Sequence, residues 1–174
     1  MDRISQGVRS YAWQGLDAAR FELAFVDFHG DRLTARGTQL GPDYRLTYVL
    51  ETAARYVSER LTAECESVGG TKTLELRRGV SPLTDDVLDI DLGFSPLFNS
   101  LPVLRDRLLD TVASRDYVMA WVDVPSLGVS RSAQRYVPLG DHVVRYRSGT
   151  FSADIVFDDD SFVVDYPGLA RRVE

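Results

Sequence analysis

Tyr44-Arg45-Leu46-Thr47-Tyr48-Val49-Leu50 sets Tyr44, Leu46, Tyr48 and Leu50 on one side of an extended chain and Arg45 and Thr47 on the other. A period of two is the mark of a strand with one covered face. The same period recurs along the chain. Phe21, Leu23 and Phe25 oppose Glu22 and Ala24, Leu61 and Ala63 share a face with Cys65, and Phe151, Ala153, Ile155 and Phe157 oppose Ser152, Asp154 and Val156. In Tyr117-Val118-Met119-Ala120-Trp121-Val122 both faces are apolar, which predicts a strand covered on both sides.

Turn signals separate these runs: His29-Gly30-Asp31, Gly41-Pro42-Asp43, Gly69-Gly70, Leu127-Gly128, Ser148-Gly149 and Asp158-Asp159-Asp160-Ser161. Short alternating runs at such spacing predict a mainly β fold, an antiparallel meander closed or strongly curled so that its edges are hidden. No internal repeat or linker interrupts it, and the 174 residues fit one domain over 1–174.

One segment has a different period. Leu97, Leu101, Leu104 and Leu108 recur every three or four residues, one face of a helix. Asn99 or Ser100 as cap and Pro102 in the first turn predict a helix over about Leu101–Leu109. A lone apolar-striped helix amid strands belongs against the concave face of the sheet.

Hydrophobic residues at 44% and charged residues at 26% describe an ordinary folded chain. A net charge of -6 opposes long-range attraction to a phosphate backbone, so no nucleic-acid partner is expected. Lys72 is the only lysine; the arginines suit bidentate pairs with carboxylate or phosphate, and a genome-wide codon bias explains them more simply. Cys65 has no partner for an internal disulfide and reads as a small buried hydrophobe. Met1–Gly7 holds no apolar leader core, and no apolar run reaches the ~18 residues of a membrane span, which predicts a cytoplasmic protein without a transmembrane segment.

Three sets of residues carry candidate chemistry. In Leu88-Asp89-Ile90-Asp91-Leu92 the two carboxylates share a strand face ~6.6–6.8 Å apart. That suits two ligands of a hard cation, or a general acid/base pair with room for a water. The same pattern also describes a solvent-facing strand edge with Leu88, Ile90 and Leu92 inward, or carboxylates lining a pocket for a polar headgroup. Ser95-Pro96-Leu97-Phe98-Asn99-Ser100-Leu101-Pro102 is the punctuation of a sharp strand-to-helix entry, and free N–H groups at a helix start attract anions. Gln134, Tyr136, Tyr146 and Tyr166 offer apolar bodies with one polar end, fit for an amphipathic ligand and equally ordinary in a sheet. His29 in a turn and His142 at a strand start lack a nucleophile in any motif context. Phosphate-loop, dinucleotide, Cys-x-x-Cys and His-Glu-x-x-His patterns do not occur, so no cofactor is expected and no catalytic residue is visible.

Asp89-Ile90-Asp91-Leu92 followed by Ser95-Pro96-Leu97-Phe98-Asn99-Ser100-Leu101-Pro102 resembles the central signature of a bacterial glycolipid-binding family, formerly a domain of unknown function. Trp121-Val122-Asp123-Val124-Pro125, Gln134-Arg135-Tyr136 and Phe162-Val163-Val164-Asp165-Tyr166-Pro167-Gly168 resemble its later sections in order, and Trp13, Gly37 and Tyr44 fit its first part more loosely. The resemblance implies a spiral β-roll, an antiparallel sheet wound around a single central helix. It also implies an amphipathic small molecule or glycolipid as partner, held between the concave sheet and the helix. The motif residues carried over by position are Asp89, Asp91, Asn99, Arg105, Gln134, Tyr136, Asp165 and Tyr166. Of these, Asp89, Asp91, Asn99, Arg105 and Tyr136 are expected at the polar head, with Phe21/Leu23/Phe25 and Tyr117/Met119/Trp121 as apolar walls. Phe98 stands where the family has threonine, and Arg105 is the one arginine kept of two; an arginine there holds an anionic headgroup or braces the helix. The rival expectation is an enzyme on a small polar molecule, using Asp89 and Asp91 as acid/base pair or metal ligands.

Overall fold

The alternating run from Tyr44 becomes one of thirteen strands in a single sheet of the computed structural model, which describes residues 7–173. The reading of Met1–Gln6 lies outside the described residues. Six strands, β1 (Gly7–Gly15), β2 (Phe21–His29), β3 (Arg32–Leu40), β4 (Tyr44–Thr52), β5 (Ser58–Ser67) and β6 (Gly70–Arg77), form an antiparallel meander. The turn signals do what their residues allow: Gly30, at φ +67°, opens the two-residue loop that lets His29 face Arg32.

A loop then leads to β7 (Asp89–Leu92) and α1 (Pro96–Asp106). Six further strands, β8 (Arg115–Val122), β9 (Val129–Gly140), β10 (Val143–Ser148), β11 (Phe151–Phe157), β12 (Val163–Tyr166) and β13 (Ala170–Val173), step back until β13 pairs antiparallel with β1. The spatial order is therefore β6 to β1, then β13 down to β7. The antiparallel expectation holds at every pair but one. β7 and β8 run parallel, because α1 is the crossover that joins them.

The sheet is curled so far that β7 lies inside it. Ile90 and Leu92, on one face of β7, and Ala120 and Val122 of β8 are fully buried in the same core as Leu46, Leu50 and Leu61 of β4 and β5. Asp89 and Asp91, on the other face, are buried as well. The free edge of β7 is closed by the start of β5, where the Ser58 amide donates to the Leu88 carbonyl at 2.9 Å and Ser58 Oγ accepts from the Ile90 amide at 3.2 Å. Arg78 covers the remaining carbonyls there, donating to those of Thr84, Val87 and Leu88. A strand edge facing solvent is thus not the environment of Asp89 and Asp91. The double-sided cover foreseen for Tyr117–Val122 is found, and Cys65 is a buried free thiol beside Leu61 and Ala63.

One expectation fails on which side residues face. Phe21, Leu23 and Phe25 are 38%, 36% and 51% exposed, while Glu22, Ala24 and Val26 are 2%, 0% and 0% exposed. Over residues 21–26 the larger side chains are on the convex face, because large rings from elsewhere already fill the concave side there. Ala24, Ala35, Gly37 and Ala63 admit Trp13, Tyr48 and Phe98, and a Cβ on Gly37 would lie 2.2 Å from Tyr48 Cζ. Phe21, Leu23 and Phe25 therefore wall no interior pocket.

α1 starts five residues earlier than its leucine stripe suggests. Ser95 occupies the N-cap position, Pro96 the first turn, and Pro102 lies within the helix, which ends at Arg107 in a left-handed conformation. Nine of its eleven residues are buried, so the surrounding sheet holds the helix rather than one apolar stripe, and the bond missing at Pro102 is tolerated. His142 sits in the tight turn before β10, with Asp141 at φ 49° and His142 at φ 61°.

Candidate functional site

β7 and β8 put Asp89 beside Met119 and Asp91 beside Trp121, all four on the face toward α1 and the C-terminal strands. The two carboxylates share that face and have different surroundings. Arg105 Nη1 donates to Asp89 Oδ1 at 2.5 Å, with both side chains 1% exposed, and the Arg105 guanidinium stands 5.3 Å from the Tyr117 ring centre. Arg105 is thus a brace between α1 and β7. Burial pushes the Asp89 carboxyl above its ordinary range while Arg105 pulls the other way.

Among the described residues no arginine pairs with Asp91. Its Oδ2 accepts from Gln134 Nε2 at 2.5 Å, and no described residue donates to its other oxygen. Burial, aided by the charge of Asp89 and opposed by the Gln134 bond, pushes this carboxyl up to about 6.

Asp91 forms part of the wall of a cavity of about 420 Å³ at the N-terminal end of α1. Ser95 and Asn99 bound it from the helix, and Trp121, Ser130, Ser132 and Ser148 from the concave face of β8, β9 and β10. Phe94, Tyr146, Phe151 and Tyr166 complete an aromatic side. Tyr146, Phe151 and Tyr166 pack on one another with ring centres 6.0–6.4 Å apart. Arg20 stacks its guanidinium 3.7 Å from the centre of the Phe94 ring, which fixes that wall from behind.

The eight motif residues thus divide. Asp91, Asn99 and Tyr166 line the cavity, and Gln134 sits behind Asp91. Tyr136 is fully buried below, its hydroxyl accepting from Asn99 Nδ2 at 3.0 Å and its ring edge-on to Tyr117 and Tyr146. Asp89 and Arg105 are occupied with each other, and Asp89 borders a different cleft, with Asp86 and Tyr117. Asp165 pairs with Arg171 at 2.9 Å and does not line the cavity. Phe98, in the family's threonine position, packs edge-on against Tyr48 with ring centres 5.3 Å apart.

One group escaped the sequence reading. Glu22 is buried on the inner face of β2, and its Oε1 accepts from Tyr48 Oη at 2.6 Å and from Ser95 Oγ at 2.6 Å. Gln39 donates to the carbonyl of Gly93 at 3.1 Å in the same place. Burial pushes the Glu22 carboxyl up to about 7, against the hydrogen bonds of Ser95, Tyr48 and Gln39. The clue in the sequence was that Ala24 and Val26, which follow Glu22 on its own strand face, are smaller than Phe21, Leu23 and Phe25 opposite.

The helix start offers few donors to an anion. Pro96 has no N–H, the Phe98 amide is engaged with the Ser95 carbonyl, the Ser95 hydroxyl is turned to Glu22, and Asp91 stands across the cavity. Among the described residues no group of three or more His, Cys, Asp or Glu could hold a metal ion, and no helix is long and apolar enough to cross a membrane.

A model of the family described as "Putative glycolipid-binding" matches residues 10–172. A solved structure, the crystal structure of a DUF1089 family protein from Pseudomonas aeruginosa, superposes with a TM-score of 0.74 at 26% identity, covering 87% of this chain and 92% of that one. No curated protein matches.

Proposed function

The chain belongs to the family described as "Putative glycolipid-binding", and from that premise we propose that it is a binding protein that holds the head of an amphipathic molecule between the concave sheet and the start of α1. One observation carries the reading. Val103 of α1 and Leu108 just beyond it share a buried cluster with Tyr136 and Ile155, yet at the helix's other end the roll leaves a 420 Å³ hollow lined by aromatic rings, serines and a part-satisfied carboxylate. Aromatic walls with a few convergent polar groups are the usual makeup of a small-molecule site. In this reading Asp91, Asn99 and Tyr166 touch the ligand, and Gln134 and Tyr136 hold Asp91 and Asn99 in place. Arg105 and Asp89 brace the helix.

The acid/base reading of Asp89 and Asp91 has less support, because Asp89 is closed by Arg105 and opens on a different cleft from Asp91. Native mass spectrometry and solvent extraction of freshly purified protein test the proposal. The expected result is a co-purified amphiphile, or a rise in melting temperature with short-chain alkyl glycosides. A ligand-free spectrum with no thermal shift from any amphiphile overturns it.

A further inference from the structure

We propose that the cavity selects an uncharged, hydroxyl-rich headgroup, a neutral sugar ring, and rejects headgroups that carry phosphate, sulfate or carboxylate. The inference rests on the binding reading above and concerns what that site prefers.

The argument begins with charge. Asp91 is 4% exposed, lines the cavity, and has one oxygen without a donor among the described residues. Its hydrogen-bond partner, Gln134, is neutral. The nearby buried cation, Arg105, is already committed to Asp89. The one cation among the described residues of the cavity wall, Arg131, pairs with Asp86. An anion entering here meets a carboxylate that is itself 4% exposed and has no free cation beside it on the described wall, and repulsion between charges is strongest where solvent screens least.

Hydrogen-bond types point the same way. An acidic headgroup is acceptor-only and needs a surplus of donors, yet the helix start offers no free amide in its first turn beyond that of Leu97. A sugar hydroxyl both donates and accepts. It can give its proton to the open oxygen of Asp91 and take one from Ser130, Ser132 or Ser148, each of which does both in turn. The half-buried Trp121 ring stands next to Asp91 across the β7–β8 pair, so one face of a ring can lie on it while the edge hydroxyls reach the carboxylate. Several hydroxyls spread around the wall match a polyol better than a single ammonium, which would use Asp91 alone.

The test keeps the tail constant and changes the head. Octyl β-glucoside, the octyl glycosides of glucuronic acid and of glucosamine, the octyl glucoside 6-phosphate, and octanol are titrated into the wild-type protein below their micellar concentrations, by calorimetry and thermal shift. The neutral glucoside is expected to bind at least roughly tenfold more tightly than the glucuronide, the phosphate and octanol, and at least as tightly as the glucosaminide. Asp91→Asn is expected to lessen the penalty on the two anions, and its melting curve checks that it folds; the wild-type series stands without it. Equal binding of neutral and anionic heads, or tighter binding of the amine, overturns the selection while leaving an amphiphile site in place. Binding of octanol as tight as that of the glucoside also overturns it. Failure of every compound to bind removes the site itself, and the selection with it.

Discussion

Ser95 Oγ donates to Glu22 Oε1 at 2.6 Å, joining the residue before α1 to the inner face of β2 across the whole width of the core. The sequence separates the two by most of the first half of the chain, and the sheet's curl brings them together. The other oxygen, Glu22 Oε2, is buried with no partner among the described residues, and burial pushes the carboxyl up to about 7.

That placement makes stability depend on pH with a definite sign. Glu22 goes from 4.5 in the unfolded chain to about 7 in the fold, so between these values the folded state binds the extra proton. Its contribution is full below about pH 4.5 and is lost as pH rises through 7. Asp91, pushed up to about 6, adds in the same direction. Glu22→Gln keeps an acceptor for Ser95 and Tyr48 and removes the titration. It is expected to flatten the fall in stability between pH 5 and 8 and to exceed wild type at pH 8 by on the order of 1–3 kcal/mol, read from urea midpoints. An unchanged pH slope would show that Glu22 titrates as an exposed acid.

The Arg105–Asp89 brace has the opposite character, because each partner satisfies a charge that cannot reach water. Arg105→Met leaves a carboxylate in the core and is expected to lower stability by ~3–5 kcal/mol at pH 8. Protonation of Asp89 relieves the burial, so the loss should shrink toward pH 5. The double variant Arg105→Met with Asp89→Asn removes both charges and is expected to recover much of the loss, as a double-mutant cycle in urea would measure.

Much of this was legible in the sequence, and the rest was hidden for physical reasons. The alternation from Tyr44 to Leu50 located its strand and its face correctly, because every large residue there falls on one side. The run from Phe21 was assigned to the wrong face, because alternation tells that two faces differ and size alone does not tell which is concave. In the middle of β2 and β3 the curl inverts the usual rule: Ala24 and Gly37 lie inside to make room for large rings such as Tyr48, and Phe21 and Phe25 lie outside. With the large side of β2 expected inward, Glu22 fell on the opposite face, and the link to Ser95 went unseen. The helix start was misplaced because two prolines compete for the first turn, and the encased Pro102 obeys packing rather than helix chemistry. The motif named Asp91, Asn99 and Tyr166, which line one cavity, and also Arg105, whose partner only the pairing of α1 with β7 reveals.

Gly37 tests the crowded face directly. Tyr48 crosses over it, is 3% exposed and is held at its hydroxyl by Glu22, so the ring cannot swing aside for a methyl group. Gly37→Ala is expected to lower stability by ~1–3 kcal/mol, with a fall of several degrees in melting temperature. Thr38→Ala, at the adjacent position on the opposite face of β3, should stay within about 0.5 kcal/mol of wild type.

Filling the hollow separates binding from folding. Ser130 is exposed, lies beside Trp121 across the β8–β9 pair and borders the 420 Å³ cavity. Indole at this position occupies space that a ligand would need while touching nothing that holds the roll together. Ser130→Trp is therefore expected to leave the melting temperature of ligand-free protein close to wild type, since an exposed substitution away from caps and core contacts moves stability by about 0.5 kcal/mol or less. Octyl glucoside binding, followed by calorimetry, should weaken at least roughly tenfold, the cost of losing a ring contact and part of the volume. If binding persists undiminished with the fold intact, the ligand sits elsewhere on the protein, and the solidly packed roll around α1 becomes a scaffold for some other surface.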